Sequence, residues 1–170
     1  MSDILHERVW VIFDMDGVLA DDSKRRTWID DYDPPRWDIY NSPELLGEDT
    51  PVPNSISLME SMFLIGLTPV VITGRKESWR KITLEWLSTY LSKELYDVLE
   101  VIMRPDHLFG IVRNYQYKRD VYLREFEGKR RVLCAFDDDP LCVKSYLRLG
   151  VSAHLVPTSN LLPGVGQPGQ

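Results

Sequence analysis

The sequence predicts an α/β fold, a three-layer sandwich of helices about a parallel sheet, on three observations. Short apolar runs alternate with longer segments of helical period, the pattern of parallel strands joined by helices. The first run, Val9 to Phe13, is apolar throughout, as a strand covered on both faces requires. Three of the runs pass directly into acidic or hydroxyl residues, and strand ends are where open α/β sheets bind ligands.

Each element follows from local chemistry. Strands are expected at Val9–Phe13, Thr68–Thr73, Val98–Met103, Val132–Phe136 and Val151–Val156. Between them, Ser55–Ile65 reads as a helix ended by Gly66. Ser78–Leu91 reads as a second, with Trp79, Ile82, Trp86 and Tyr90 near one face. Asn114–Glu127 is a third, stopped by Gly128, and Leu141–Leu149 a fourth, with Pro140 near its start and Gly150 past its end. One domain is expected over residues 1–156. Asp21–Pro53 interrupts the rhythm: it is acidic, rich in proline and aromatics, and too long for an ordinary connection, so it is expected to form a small flap or minimal cap. Residues 157–170, polar and rich in glycine and proline, are expected to be a disordered tail.

Composition narrows the function classes. A chain of 170 residues with 44% hydrophobic and 27% charged residues is ordinary for a globular domain. No apolar run reaches the roughly 20 residues of a membrane helix, and the first residues lack the features of a secretory leader. The expectation is a cytoplasmic protein without a membrane partner. Two cysteines and three histidines argue against a disulfide framework or a zinc site. A net charge of −6 argues against coating nucleic acid. The stretch from Arg104 to Arg131, with eight basic and four acidic residues, is either a surface that guides an anionic substrate or a solvated face.

The chemistry lies at the strand ends. Val9–Phe13 runs into Asp14 and Asp16, Val70–Ile72 into Thr73, Gly74 and Arg75, and Val132–Phe136 into Asp137, Asp138 and Asp139. A crevice fed by up to five carboxylates repels itself unless a cation sits among them. Oxygen-only ligands select a hard ion such as Mg²⁺.

These residues carry a resemblance. Phe13-Asp14-Met15-Asp16-Gly17-Val18 resembles the first motif of the haloacid dehalogenase (HAD) superfamily. Thr73-Gly74-Arg75 resembles the second, Lys118 stands where the third is expected, and Asp137-Asp138 resembles the fourth, over roughly residues 8 to 156. Receiver domains also cluster Asp, Thr and Lys, but in another order along the chain. The resemblance implies a HAD-like Rossmannoid fold and a Mg²⁺-dependent phosphatase. In it, Asp14 is the nucleophile that becomes phosphorylated. Asp16 is the general acid and base. Thr73 and Gly74 hold phosphoryl oxygens, and Lys118 supplies fixed positive charge, with a slip to Arg119 left open. The metal ligands implied are Asp14, Asp16 through its backbone carbonyl, and Asp137 or Asp138.

Within the superfamily the chain is similar to the 3′-phosphatase domain of bacteriophage-type polynucleotide kinase/phosphatases. The residues involved are Arg25, Thr73-Gly74-Arg75 before a Trp-containing helix, Met103-Arg104-Pro105, and Phe136-Asp137-Asp138 with Pro140. Asn114 stands where that family commonly has an acid, and Asp139 where it often has Arg or Asn. No G-x-x-x-x-G-K-[ST] occurs, so no kinase half is expected. The implied substrate is a nucleotide or nucleic-acid 3′-end. Arg75, Arg25 and Arg104 are its candidate contacts, with Arg26 a further one. Trp28, Tyr32, Trp37 and Tyr40 either stack on bases or pack the flap. The opening Asp14-Met15-Asp16-Gly17-Val18-Leu19-Ala20-Asp21 also resembles 5′(3′)-deoxyribonucleotidases, which act on nucleoside monophosphates. Those enzymes usually have a larger helical cap and lack the Thr-Gly-Arg motif.

Overall fold

The computed structural model describes residues 8–157. The sheet has five parallel strands: β1 (Val9–Phe13), β4 (Thr68–Lys76), β5 (Glu100–Arg104), β6 (Arg131–Asp137) and β7 (Ser152–Leu155), ordered β5-β4-β1-β6-β7. β1 is central. The chain builds outward from it to β4 and β5, then returns to its other side with β6 and β7. That reversal opens a crevice at the C-terminal ends of β1 and its neighbours.

Alternation along β1 sorts the core into two layers. Val11 and Phe13 pack with Val71, Met59, Trp86, Leu87 and Leu95 on the face covered by α4 (Pro53–Leu64), α5 (Arg80–Tyr90) and α6 (Lys93–Tyr96). Ile12 packs with Val70, Ile72, Tyr117, Val121, Phe126 and Tyr146 on the face covered by α7 (Asn114–Glu125) and α8 (Pro140–Arg148). Burying each such side chain contributes roughly 1.5–3 kcal/mol before the cost of ordering it. Cys134 and Cys142 are buried free thiols.

The expected strands and helices are all present, with shifted ends. α4 begins two residues early because Pro53 suits a first helical position. The α5 segment opens with a 3-10 turn, Glu77–Trp79. β4 runs three residues further than expected, so Thr73, Gly74 and Arg75 lie within it. Its register against β5 slips between Thr73 and Lys76, as a bulge does when it re-aims side chains.

The largest difference is Asp21–Pro53. It folds as α1 (Ser23–Asp30), α2 (Trp37–Tyr40) and α3 (Pro43–Glu48), closed by a two-stranded antiparallel ribbon of β2 (Ala20–Asp21) and β3 (Thr50–Pro51). The ribbon returns the chain beside its point of departure, and Asp49 with it. The tail from Thr158 onward, expected to be disordered, lies outside the described residues.

Candidate active site

Asp14 follows the last residue of β1, where its N–H donates to the Phe136 carbonyl at 3.0 Å and locks the two strand ends together. Asp137 ends β6 beside it, and Asp138 follows. One oxygen each from Asp14, Asp137 and Asp138 lies within 4.8 Å of the others. Gly17 makes that approach possible: its φ is +75°, and a Cβ there would meet Asp138 Oδ2 at 2.4 Å. The ammonium of Lys118, on the second turn of α7, is 2.7 Å from both Asp14 Oδ2 and Asp137 Oδ2, and the residue is 1% exposed. Arg119 is exposed and pairs with Asp120, so the chain directs Lys118 to the cluster.

The electrostatics of this cluster are unbalanced: Asp14 and Asp137 share the buried Lys118, and Asp138 shares Arg26 with Asp22. Burial pushes the Asp14 carboxyl well above its usual range; Asp137 and Asp138 add repulsion, and Lys118 opposes them. Burial and Asp137 push Asp138 up to about 7, against Lys118 and Arg26. Lys118 is raised as well: despite burial, Asp137 and Asp14 hold it well above the ordinary lysine value. A hard cation among these oxygens would relieve the repulsion and restore the carboxylates to their ionised form.

Asp16 looks away from this group. Its carboxylate accepts from Arg25 Nη2 at 2.6 Å and from Arg75 Nη2 at 2.7 Å. Both guanidiniums also reach Asp49 Oδ2, at 2.7 and 3.0 Å. Asp49 is itself anchored where Trp86 Nε1 donates to its carbonyl at 2.7 Å. Burial alone would raise the Asp16 carboxyl, but Arg75 and Arg25 outweigh it and hold the group below the usual carboxylate range.

Arg25 is 1% exposed. Its donors are taken up by Asp16, Asp49 and the Tyr40 carbonyl, so it meets the general-acid candidate rather than the open cleft. Its neighbour Arg26 borders the cleft, bonded to Asp22 and Asp138. Arg75 is likewise committed to Asp16 and Asp49, while its N–H donates to Thr73 Oγ1 at 3.1 Å. Gly74 borders the cleft, and a Cβ on it would come within 2.6 Å of Asn114 Oδ1. Asn114 accepts from Arg104 Nη2 at 2.8 Å. Asp139 caps α8, accepting from the Leu141 N–H at 2.8 Å.

The cleft has a volume of about 1030 Å³. Its floor includes Asp14, Asp16, Gly74 and Asp138; one wall carries Arg26, Ile29, Trp37 and Tyr40 from the flap, and the other Trp79, Phe109, Ile111 and Asn114. Of the flap aromatics, Trp37 and Tyr40 reach this cleft, whereas Trp28 and Tyr32 stack on each other with centroids 5.0 Å apart. Sequence reasoning passed over Asp49, Asp22 and Tyr40 Oη, which donates to Asp22 at 2.6 Å.

A five-stranded parallel sheet with Asp14, Lys118 and paired aspartates at its C-terminal edge is the arrangement of the HAD type. Residues 9–160 match the family model described as the polynucleotide kinase PNKP phosphatase domain, and the chain belongs to that family. Among solved structures, it is similar in fold to a chain of the Pnkp1/Rnl/Hen1 RNA repair complex (TM-score 0.71, 19% identity). That match covers 92% of this chain and 45% of the other, so the protein spans about half the length of that relative. It is also similar to the class C acid phosphatase from Bacillus anthracis (TM-score 0.60, 14% identity, covering 94% and 70%). No curated protein sequence matches it significantly. No helix among the described residues is long and apolar enough to cross a membrane.

Proposed function

We propose that this protein is a Mg²⁺-dependent phosphomonoester hydrolase that removes 3′-phosphates from nucleotide or polynucleotide ends through an aspartyl-phosphate on Asp14. The observation that carries the reading is the junction of Asp14, Asp137 and Asp138 around Lys118 at the floor of an open cleft. The donor set, carboxylate oxygens only and short of positive charge, fits a hard divalent cation. Asp14, Asp137 and Asp138 would hold it. When bound, Mg²⁺ offsets the repulsion between the carboxylate nucleophile and an anionic phosphate.

Asp14 Oδ attacks phosphorus, and the P–O bond to the leaving alcohol breaks. Asp16 delivers a proton to that alcohol, then takes one from the water that hydrolyses the acyl phosphate. In the resting network Asp16 is ionised, which suits the second step. A phosphate dianion arriving beside it raises its proton affinity, which is the direction the first step needs. Lys118, already bonded to Asp14, fixes the nucleophile and opposes negative charge in the transition state. Thr73 and the Gly74 backbone serve the phosphoryl oxygens, Arg75 and Arg25 act through Asp16, and Arg104 contacts substrate.

Family membership and the cleft, open between two aromatic walls, support a nucleotide over a small sugar. The second reading, a nucleotidase for nucleoside monophosphates, is favoured by one observation: three short helices in the flap give more helical cover than a bare loop. Phosphate release from 3′-phosphorylated oligonucleotides, nucleoside 3′-monophosphates, deoxynucleoside 5′-monophosphates and sugar phosphates, each with Mg²⁺ and with chelator, separates the readings. The 3′-phosphates should give the highest kcat/KM, lost with chelator. Preference for 5′-monophosphates would establish the second reading, and full activity in chelator would remove the metal.

A further inference from the structure

Three arginines are buried among the described residues, and they are not alike. Arg25 and Arg75 each meet two carboxylates. Arg104, at the end of β5, meets none. Its Nη2 donates to the neutral amide of Asn114, and its Nε has no partner. The residue is 6% exposed, yet it borders the cleft. The rings of Phe109 and Tyr117 lie 5.7 and 5.1 Å from its guanidinium carbon and offset part of the cost of burial. A guanidinium keeps its proton inside proteins, and a buried charge without a counter-ion is costly. The cleft therefore holds a preformed cation with donor capacity to spare.

Its position selects what it meets. The guanidinium reaches back over β4: Nη2 would be 3.4 Å from a Cβ built on Gly74. That is one strand spacing, about 5 Å, to the side of the β1 line that carries Asp14. In the proposed function, the phosphoryl group at Asp14 is served by Lys118, Thr73 and the Gly74 backbone. A sideways displacement of this order suits a second phosphate on the same ribose, joined to the first through O3′, C3′, C4′, C5′ and O5′.

We propose that Arg104, held beside Gly74 by Asn114, receives the phosphate on the 5′ side of the nucleotide whose 3′-phosphate is attacked. The inference rests on the 3′-phosphate reading and adds a subsite to it. The subsite makes a nucleotide carrying both phosphates a better substrate than one carrying the 3′-phosphate alone. Asn114 is part of the device, because an amide orients the guanidinium without neutralising it. A carboxylate at the same place would cancel the charge before substrate arrived.

The test compares kcat/KM for a nucleoside 3′,5′-bisphosphate and the corresponding nucleoside 3′-monophosphate, at fixed ionic strength with Mg²⁺. Chromatography identifies which phosphate leaves. Wild type should favour the bisphosphate and release its 3′-phosphate. Arg104→Gln should reduce that preference about tenfold or more, the effect of one charge-assisted contact. Asn114→Asp should reduce it as well, with no fall in Tm, because it gives Arg104 a salt-bridge partner rather than removing one. Equal losses on both substrates in Arg104→Gln would overturn the subsite and assign Arg104 to the transferred phosphoryl group or to the fold. A wild type that removes the 3′-phosphate from both without preference would overturn the subsite while leaving the 3′-reading intact. Release of the 5′-phosphate alone would overturn the 3′-reading, and the subsite with it.

Discussion

Two clusters of buried charge lie side by side at the end of the sheet, and they are built on opposite principles. Around Lys118, Asp14 and Asp137 share one ammonium, and Asp138 beside them shares Arg26 with Asp22, so four carboxylates face two cations and negative charge is left unmatched. Around Asp16, two carboxylates face two guanidiniums and the charges cancel. A balanced buried network is complete and serves to fix geometry. An unbalanced one persists because something else completes it. On the proposed reading, the contrast separates the half of the site that would receive cation and phosphate from the half that would aim the proton-transfer group.

The largest effect should come from the unbalanced side. Lys118→Ala leaves Asp14 and Asp137 facing each other without their shared counter-ion, and turnover should fall by roughly 10²–10³-fold, as when a preorganised charge donor is removed. Steady-state rates on an aryl phosphate measure this; a rate near wild type would remove Lys118 from the chemistry.

Next comes the keystone of the balanced side. Asp49→Ala strands Arg25 and Arg75 with a single carboxylate, and breaking such a buried pair costs about 3–5 kcal/mol. For a domain of this size that is a fall in Tm on the order of 10 °C, readable by thermal unfolding. An unchanged Tm would show that the quartet is not structural.

Arg25→Ala probes the same network through catalysis. Because Arg25 bonds Asp16 rather than the open cleft, kcat/KM should fall by the same factor, about tenfold, on nucleotide and aryl phosphates. A loss confined to nucleotides would instead make Arg25 a direct substrate contact. The smallest effect belongs to Arg119→Ala. Its exposed pair with Asp120 contributes at most about 1 kcal/mol, and neither rate nor Tm should move measurably.

Legibility in the sequence followed the same division. The sheet could be read because buried parallel strands are apolar runs, and Asp14, Thr73, Asp137 and Asp138 because they end those runs. The Lys118 position followed from motif order, but its preference over Arg119 depended on which face of α7 meets the sheet. The balanced quartet was hidden. Asp49 lies 24 residues from Arg25 and 26 from Arg75, and the contacts exist only once the β2–β3 ribbon closes the flap. Helices of four to eight residues give too few turns for a periodic signal. The sequence ranks Arg25 above Arg26 as a substrate contact, but adjacent helical positions face different directions, and it is Arg26 that borders the cleft while Arg25 turns to Asp16.

The central claim is that the unbalanced cluster makes Asp14 a nucleophile. Rapid acid quenching of enzyme mixed with a ³²P-labelled 3′-phosphate and Mg²⁺, followed by peptide mapping, tests it most directly. The label should appear transiently on the peptide containing Asp14 in wild type, at a rate no slower than turnover, and be absent from Asp14→Asn, whose turnover should also be lost. Turnover without any protein-bound label on the Asp14 peptide, or a label that persists in Asp14→Asn, would contradict the account.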